Sequence, residues 1–205
     1  GVGYNALTGV TTGSWNTAVG HEAGQAMTTG ADNTAFGLSA GAAITTGSRN
    51  IALGGVALDN ADTENDNLAI GYAALGGAIA GGEYNVAIGN NSLDAVTSGD
   101  NNSGFGFSSL GGVTSGSYNV GLGSYSGYAT TGSYNTSAGY ASGYVTTGSG
   151  NTMVGYSADP SSTSSTNQTV IGYNADGQAD NSVTLGNSDV TAVYMAEDKG
   201  ATVYA

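Results

Sequence analysis

Cysteine is absent, so neither disulfides nor thiolate metal ligands hold this 205-residue chain together. Positive charge is almost absent as well: Arg49 and Lys199 stand alone against 15 carboxylates, for a net charge of −13. Nucleic-acid binding needs cations that displace counterions, so no nucleic-acid partner is expected. Anionic membrane surfaces are disfavoured on the same ground. No apolar run approaches the ~18 residues of a membrane span, so no membrane insertion is expected. His21 is the single histidine, and no motif around it supports a histidine-based triad. The glycine-rich turns lack the lysine of a phosphate loop. No signal peptide is visible and the chain opens inside a repeat, so it reads as a piece of something longer. What the acidity does supply is solubility through mutual repulsion.

What is abundant is glycine, 37 residues, and it recurs in phase. One phrase returns about every seventeen residues: NTAVG at Asn16 to Gly20, NTAFG at Asn33 to Gly37, NIALG at Asn50 to Gly54, NLAIG at Asn67 to Gly71 and NVAIG at Asn85 to Gly89. Looser copies end at Gly106, Gly123, Gly139 and Gly155, and QTVIG and SVTLG at Gly172 and Gly186 lose the Asn. A glycine content this high without a triplet period excludes collagen. Self-similarity at this period predicts a solenoid.

Gly, Thr, Ser and Asn are weak helix formers and no 3.6-residue period survives inside a unit, so each phrase is expected to be a strand. Alternation then puts positions two and four on one face and position three on the other. Position four (Val19, Phe36, Leu53, Ile70, Ile88, Phe105, Leu122) reads as the core row. Position three (Ala18, Ala35, Ala52, Ala69, Ala87, Gly104, Gly121) is small enough to suggest that another backbone approaches there. A second short strand is expected after the phrase Gly, followed by a Thr-Thr-Gly-Ser turn. About twelve coils of 14–18 residues stacked at ~4.8 Å would give a rod of roughly 55–60 Å. The phrase asparagines (Asn16, Asn33, Asn50, Asn67, Asn85, Asn102, Asn119, Asn135, Asn151) are expected to form a structural amide ladder. One large apolar residue per coil is a thin core against the backbone entropy of ordering seventeen residues. Packing the small-residue row against sister chains would remedy this.

Candidate sites are few. Asp62, Glu64 and Asp66 have the alternate spacing of a calcium loop but lack its Gly and its terminal Glu, so a solvated turn is expected, with calcium as the alternative and no other cofactor. His21 occupies the slot of the tyrosine that follows the phrase Gly and reads as a ladder substitution. Trp15, Tyr84, Tyr118 and Tyr134 share the slot before the phrase Asn, and Tyr125, Tyr128 and Tyr144 cluster further on. Flat rings beside hydroxyls and amides stack on sugars, so these seven are glycan-contact candidates against the plainer reading of an aromatic ladder.

The phrase resembles the NSVAIG-type repeat of trimeric autotransporter adhesin heads. More closely, NTAVG with its following Tyr and its TTGS turns resembles repeat arrays of bacteriophage tail fibres. The resemblance implies an all-β, left-handed parallel β-roll or β-solenoid, assembled as an intertwined homotrimer. It implies a non-enzymatic segment of a virion tail fibre that attaches to a host cell-surface glycan or protein receptor, or alternatively a bacterial surface adhesin head. Residues 1–186 would be the repeat array and 187–205 a β-hairpin cap or junction, turning at Asp198-Lys199-Gly200 and leading in such fibres to an intramolecular chaperone domain. Two readings of other classes are an ice- or crystal-surface binder using rows of Thr hydroxyls, and an acyltransferase on a hexapeptide β-helix. The latter needs three apolar hexads per coil, whereas one occurs here.

Overall fold

The computed structural model describes residues 1–193. Eleven strands of three residues each stack into one sheet, every pairing parallel and in sequence order. They are β1 (Thr17–Val19), β2 (Thr34–Phe36), β3 (Ile51–Leu53), β4 (Leu68–Ile70), β5 (Val86–Ile88), β6 (Ser103–Phe105), β7 (Val120–Leu122), β8 (Thr136–Ala138), β9 (Thr152–Val154), β10 (Thr169–Ile171) and β11 (Val183–Leu185). Register follows the phrase without slippage: Ala18 pairs Ala35, which pairs Ala52, then Ala69, Ala87, Gly104 and Gly121. The result is a parallel β-solenoid of about ten turns, with no helix among the described residues. The hairpin cap or junction expected over residues 187–205 falls largely outside the described residues.

The expected orientation of the strands is reversed. Position three points inward: Ala18, Ala35, Ala52, Ala69 and Ala87 are buried. Across the coil they meet a second buried alanine row, Ala23, Ala40, Ala57 and Ala74. Position four faces outward, leaving Phe36 57% exposed and Leu122 45% exposed. The cause is the width of the coil. Through the first five coils the chain returns so tightly after the Gly that only a methyl group stands between strand and return segment, whereas β9 and β10 bury the larger Met153 and Val170 at the same position. The small row therefore marks the approach of the chain's own backbone.

No second strand forms in that return segment. Its residues alternate into the left-handed region, at the second position after the Gly (Glu22, Ser39, Val56, Ala73) and again at the fourth (Gly24, Gly41, Leu58, Leu75). Extended structure is incompatible with those dihedrals. Coil-to-coil hydrogen bonds persist nevertheless, as in Gly24 N–H to the Ala40 carbonyl at 2.9 Å and Gly41 N–H to that of Ala57 at 2.9 Å. The phrase Gly holds φ near +140°, and at Gly54 a β-carbon would strike the Gly71 carbonyl oxygen, so the corner admits no side chain.

Larger side chains fill the rest of the interior by exchange. In two early coils the fourth position after the Gly is itself glycine and the seventh is large: Gly24 with Met27, Gly41 with Ile44. Where it is Leu58, the seventh shrinks to Ala61. Likewise, position three drops from Ala to Gly104 and Gly121 where a buried serine, Ser92 or Ser109, needs the space. Such conservation of volume along the stack is what close packing demands.

Two polar devices close most of the coils. In the Thr-Thr-Gly turn three successive N–H groups converge on one carbonyl of the next coil, as those of Thr28, Thr29 and Gly30 do on Thr45. The phrase asparagines are buried from Asn33 to Asn151. The Asn85 amide oxygen accepts from the Asn102 N–H at 2.9 Å, and the Asn85 amide nitrogen donates to the Gly99 carbonyl at 2.9 Å. Gln168 continues the column, its N–H donating to the Asn151 side-chain oxygen at 3.0 Å.

Candidate functional site

The acidic turn is solvated at Asp62 and Thr63 but buried at Glu64, and its three candidates do not converge. The coil that begins at Gly71 lacks a Thr-Thr-Gly turn, so the N–H groups of Asp62 and Thr63 have no carbonyl above them. The Glu64 carboxylate takes that place, accepting from Asp62 N–H (2.8 Å), Thr63 N–H (3.0 Å) and Gly81 N–H (2.9 Å), and Glu64 is buried. Asp62 accepts from the Thr45 hydroxyl. Asp66 takes a bidentate pair from Arg49 at 2.6 and 2.7 Å, an ion pair at the surface that pulls the Asp66 carboxyl below its ordinary range and raises Arg49. Among the described residues no group of three or more His or acidic side chains is placed to hold a metal ion.

The seven aromatic candidates separate into distinct places. Trp15, Tyr84, Tyr118 and Tyr134 all hold φ near +60°, a conformation that bulky residues rarely adopt. Tyr118 and Tyr134 stack in parallel, centroids 5.1 Å apart. Trp15 and Tyr84 share that column but are separated by Asp32, Arg49 and Asp66, so the four do not make one surface. Tyr125, Tyr128 and Tyr144 do come together. Tyr128 and Tyr144 stack at 5.2 Å, while Tyr125 meets Tyr128 edge-on at 5.7 Å and Phe107 edge-on at 5.3 Å. A second ladder, Tyr140 on Tyr156 on Tyr173, runs at 5.4 and 5.3 Å up the slot after the phrase Gly, and Tyr125 meets its Tyr140 edge-on at 6.1 Å. His21 holds that same slot and stacks on Tyr4 at 5.1 Å.

Beyond Tyr144 the regular turn gives way to Pro160 and a serine-rich loop, and a groove of about 290 Å³ opens there. Tyr144, Val145, Asp159, Pro160, Ser162 and Thr163 line it. One Asp159 oxygen, Oδ1, accepts from the Tyr144 N–H at 3.1 Å. Burial raises the Asp159 carboxyl above its ordinary value and the charge of Asp176 adds to this, against the lowering effect of the Tyr144 and Gly143 N–H groups. Pro160, the only proline in the chain, was the signal for this irregularity; Asp159 and Thr163 carried none by themselves.

The outer face of the sheet is the second notable surface. Position four gives an unbroken apolar strip from Val19 through Phe36, Leu53, Ile70, Ile88, Phe105 and Leu122 to Val154, Ile171 and Leu185, with Ala138 the one small member, and position two beside it alternates between Thr or Ser and apolar residues such as Ile51, Leu68 and Val86. In the Thr row proposed as a hydroxyl lattice, the Thr11, Thr28 and Thr97 hydroxyls donate to carbonyls of the next coil at 3.0–3.1 Å, while their neighbours Thr12 and Thr29 stand exposed. Comparison with protein-family models, with curated proteins and with solved structures gave no match.

Proposed function

We propose that this chain is a fibre segment: a left-handed solenoid that associates with two further copies of itself through the apolar strip, and that serves a virion tail fibre in host-cell attachment. A bacterial surface adhesin head would share the same architecture. The observation that carries this reading is the outward apolar row. Eleven strands at ~4.8 Å spacing extend it over roughly 48 Å. Continuous apolar surface of that extent is unusual on a monomer and marks an interaction face. A repeating partner with the same rise matches it coil for coil, and another copy of this chain is such a partner. The arrangement also remedies the thin core, because side chains that the coil cannot enclose are buried between chains. The role is mechanical and adhesive: a stiff acidic rod presents repeated surface groups in triplicate, so weak contacts multiply by avidity. The test is the solution mass by light scattering. Three times the 19.9 kDa chain mass is expected, and a single-chain mass would remove the reading.

A further inference from the structure

The groove beside Tyr144 is built to take a sugar, and we infer that its ligand is an uncharged pyranose of a surface glycan rather than an acidic one. This inference rests on the attachment role proposed above and names the ligand class for it. The Tyr144 ring lies against Tyr128 on the side of the preceding coil and lines the groove on the side of the following coil. Elsewhere the rings are less well placed. Tyr156 has a tyrosine on each face. Tyr134 is exposed, stacks on Tyr118 and is not among the residues lining this groove. A pyranose presents an apolar C–H face that stacks on such a ring and equatorial hydroxyls that need acceptors at its rim. Asp159 supplies the acceptor. Oδ1 is held by the Tyr144 N–H and the Gly143 N–H also acts on the carboxylate, but no side chain among the described residues bonds Oδ2, nor the Thr163 hydroxyl. Hydroxyl donation to a carboxylate is a charge-assisted bond, stronger than one to a neutral acceptor.

Charge selects the class. Asp159 and Asp176 are bridged neighbours in adjacent coils. The one cation among the described residues, Arg49, is committed to Asp66. It also sits about six coils away, on the order of 30 Å at the strand spacing. Sialic and uronic acids would place a carboxylate against this pair with nothing to neutralise it. The 290 Å³ volume suits one or two hexose units. The groove lies on the return side of the coil, off the apolar strip, so assembly through the strip leaves it open.

The test is binding of the full chain to an array carrying neutral and acidic glycans, followed by calorimetric titration with a neutral oligosaccharide that binds. Retention of neutral glycans is expected. Tyr144→Ala should weaken binding at least tenfold, Asp159→Asn several-fold, and Tyr134→Ala not at all. Asp159→Asn retains the Oδ1 acceptor, so it keeps the test open should Tyr144→Ala fail to fold. Retention of acidic glycans only, or affinity indifferent to Tyr144 and Asp159, overturns the groove assignment. Failure to bind any array glycan by a chain that still attaches to cells does the same while leaving the fibre reading intact. A single-chain mass in solution would instead strike at the fibre reading itself.

Discussion

At the scale of single residues, most of this molecule is explained by what one side chain does for the coil above it. Glu64 is the clearest case, because its carboxylate stands where the next coil's carbonyl is missing. Glu64→Ala strips an acceptor from three N–H groups and should cost about 2–3 kcal/mol, read as a lower denaturant midpoint; Glu64→Gln should cost less. Thr130 is the converse. Its hydroxyl is buried without a partner among the described residues, in a column where the two preceding coils carry Val96 and Val113. Thr130→Val keeps the shape and removes an uncompensated polar group, so stability should rise by about 1–2 kcal/mol at unchanged m-value. The acidic run at 59–66 was readable as unusual, yet its role was not. The vacancy that Glu64 fills belongs to a different coil, seventeen residues on, and only the stacking register brings the two together.

At the scale of the coil, the period alone determined which residues pile on which. The asparagine column, the glycine corner and the parallel pairing were legible because each follows from repetition in phase. The facing of the strand was not. Alternation in NTAVG says only that Thr17 and Val19 share one side and Ala18 takes the other; it is silent on which side is inside. Residue size pointed the wrong way, since the larger row would ordinarily be buried. The deciding quantity is the gap between strand and return segment, and that gap is set by left-handed dihedrals at residues such as Val56 and Leu58, which no propensity would assign to them. The aromatic candidates were legible as a list and not as a site, because their grouping depends on which slot of the coil each occupies. The amide ladder can be tested at its centre. Asn85→Ala removes the acceptor for the Asn102 N–H and the donor to the Gly99 carbonyl, both buried. A loss of about 2–4 kcal/mol is expected, with hydrogen exchange accelerated first in the coils flanking residue 85.

At the scale of the whole rod, two long-range properties oppose each other in the proposed assembly: an apolar strip that would draw copies together and a charge of −13 that would push them apart. Placing Asp at Phe36 and at Leu122 (Phe36→Asp, Leu122→Asp) puts unpaired charge into the strip, and dissociation to single chains is expected by light scattering, with the buried alanine rows untouched. Charge also makes stability depend on pH in a definite direction. Burial raises the folded-state carboxyls of Asp59, Asp94 and Asp159 above their ordinary value of 3.8, with like charge from Asp94 adding at Asp59 and from Asp176 at Asp159. A carboxyl that binds its proton more tightly when folded favours the folded state as it protonates. That stability is fully present below the unfolded value and is lost as pH rises through the folded one. The Asp66–Arg49 pair acts in the opposite sense, losing its contribution as pH falls, but it is exposed and screened. Acidification from neutrality to just above the ordinary carboxylate range should therefore raise the melting temperature. Asp94→Asn should flatten part of that rise: the amide keeps the shape of the side chain, whose shift comes from burial alone, and has no proton to gain. A melting temperature that instead falls throughout this window would mean that the carboxylates are held by attractive partners in the assembled rod.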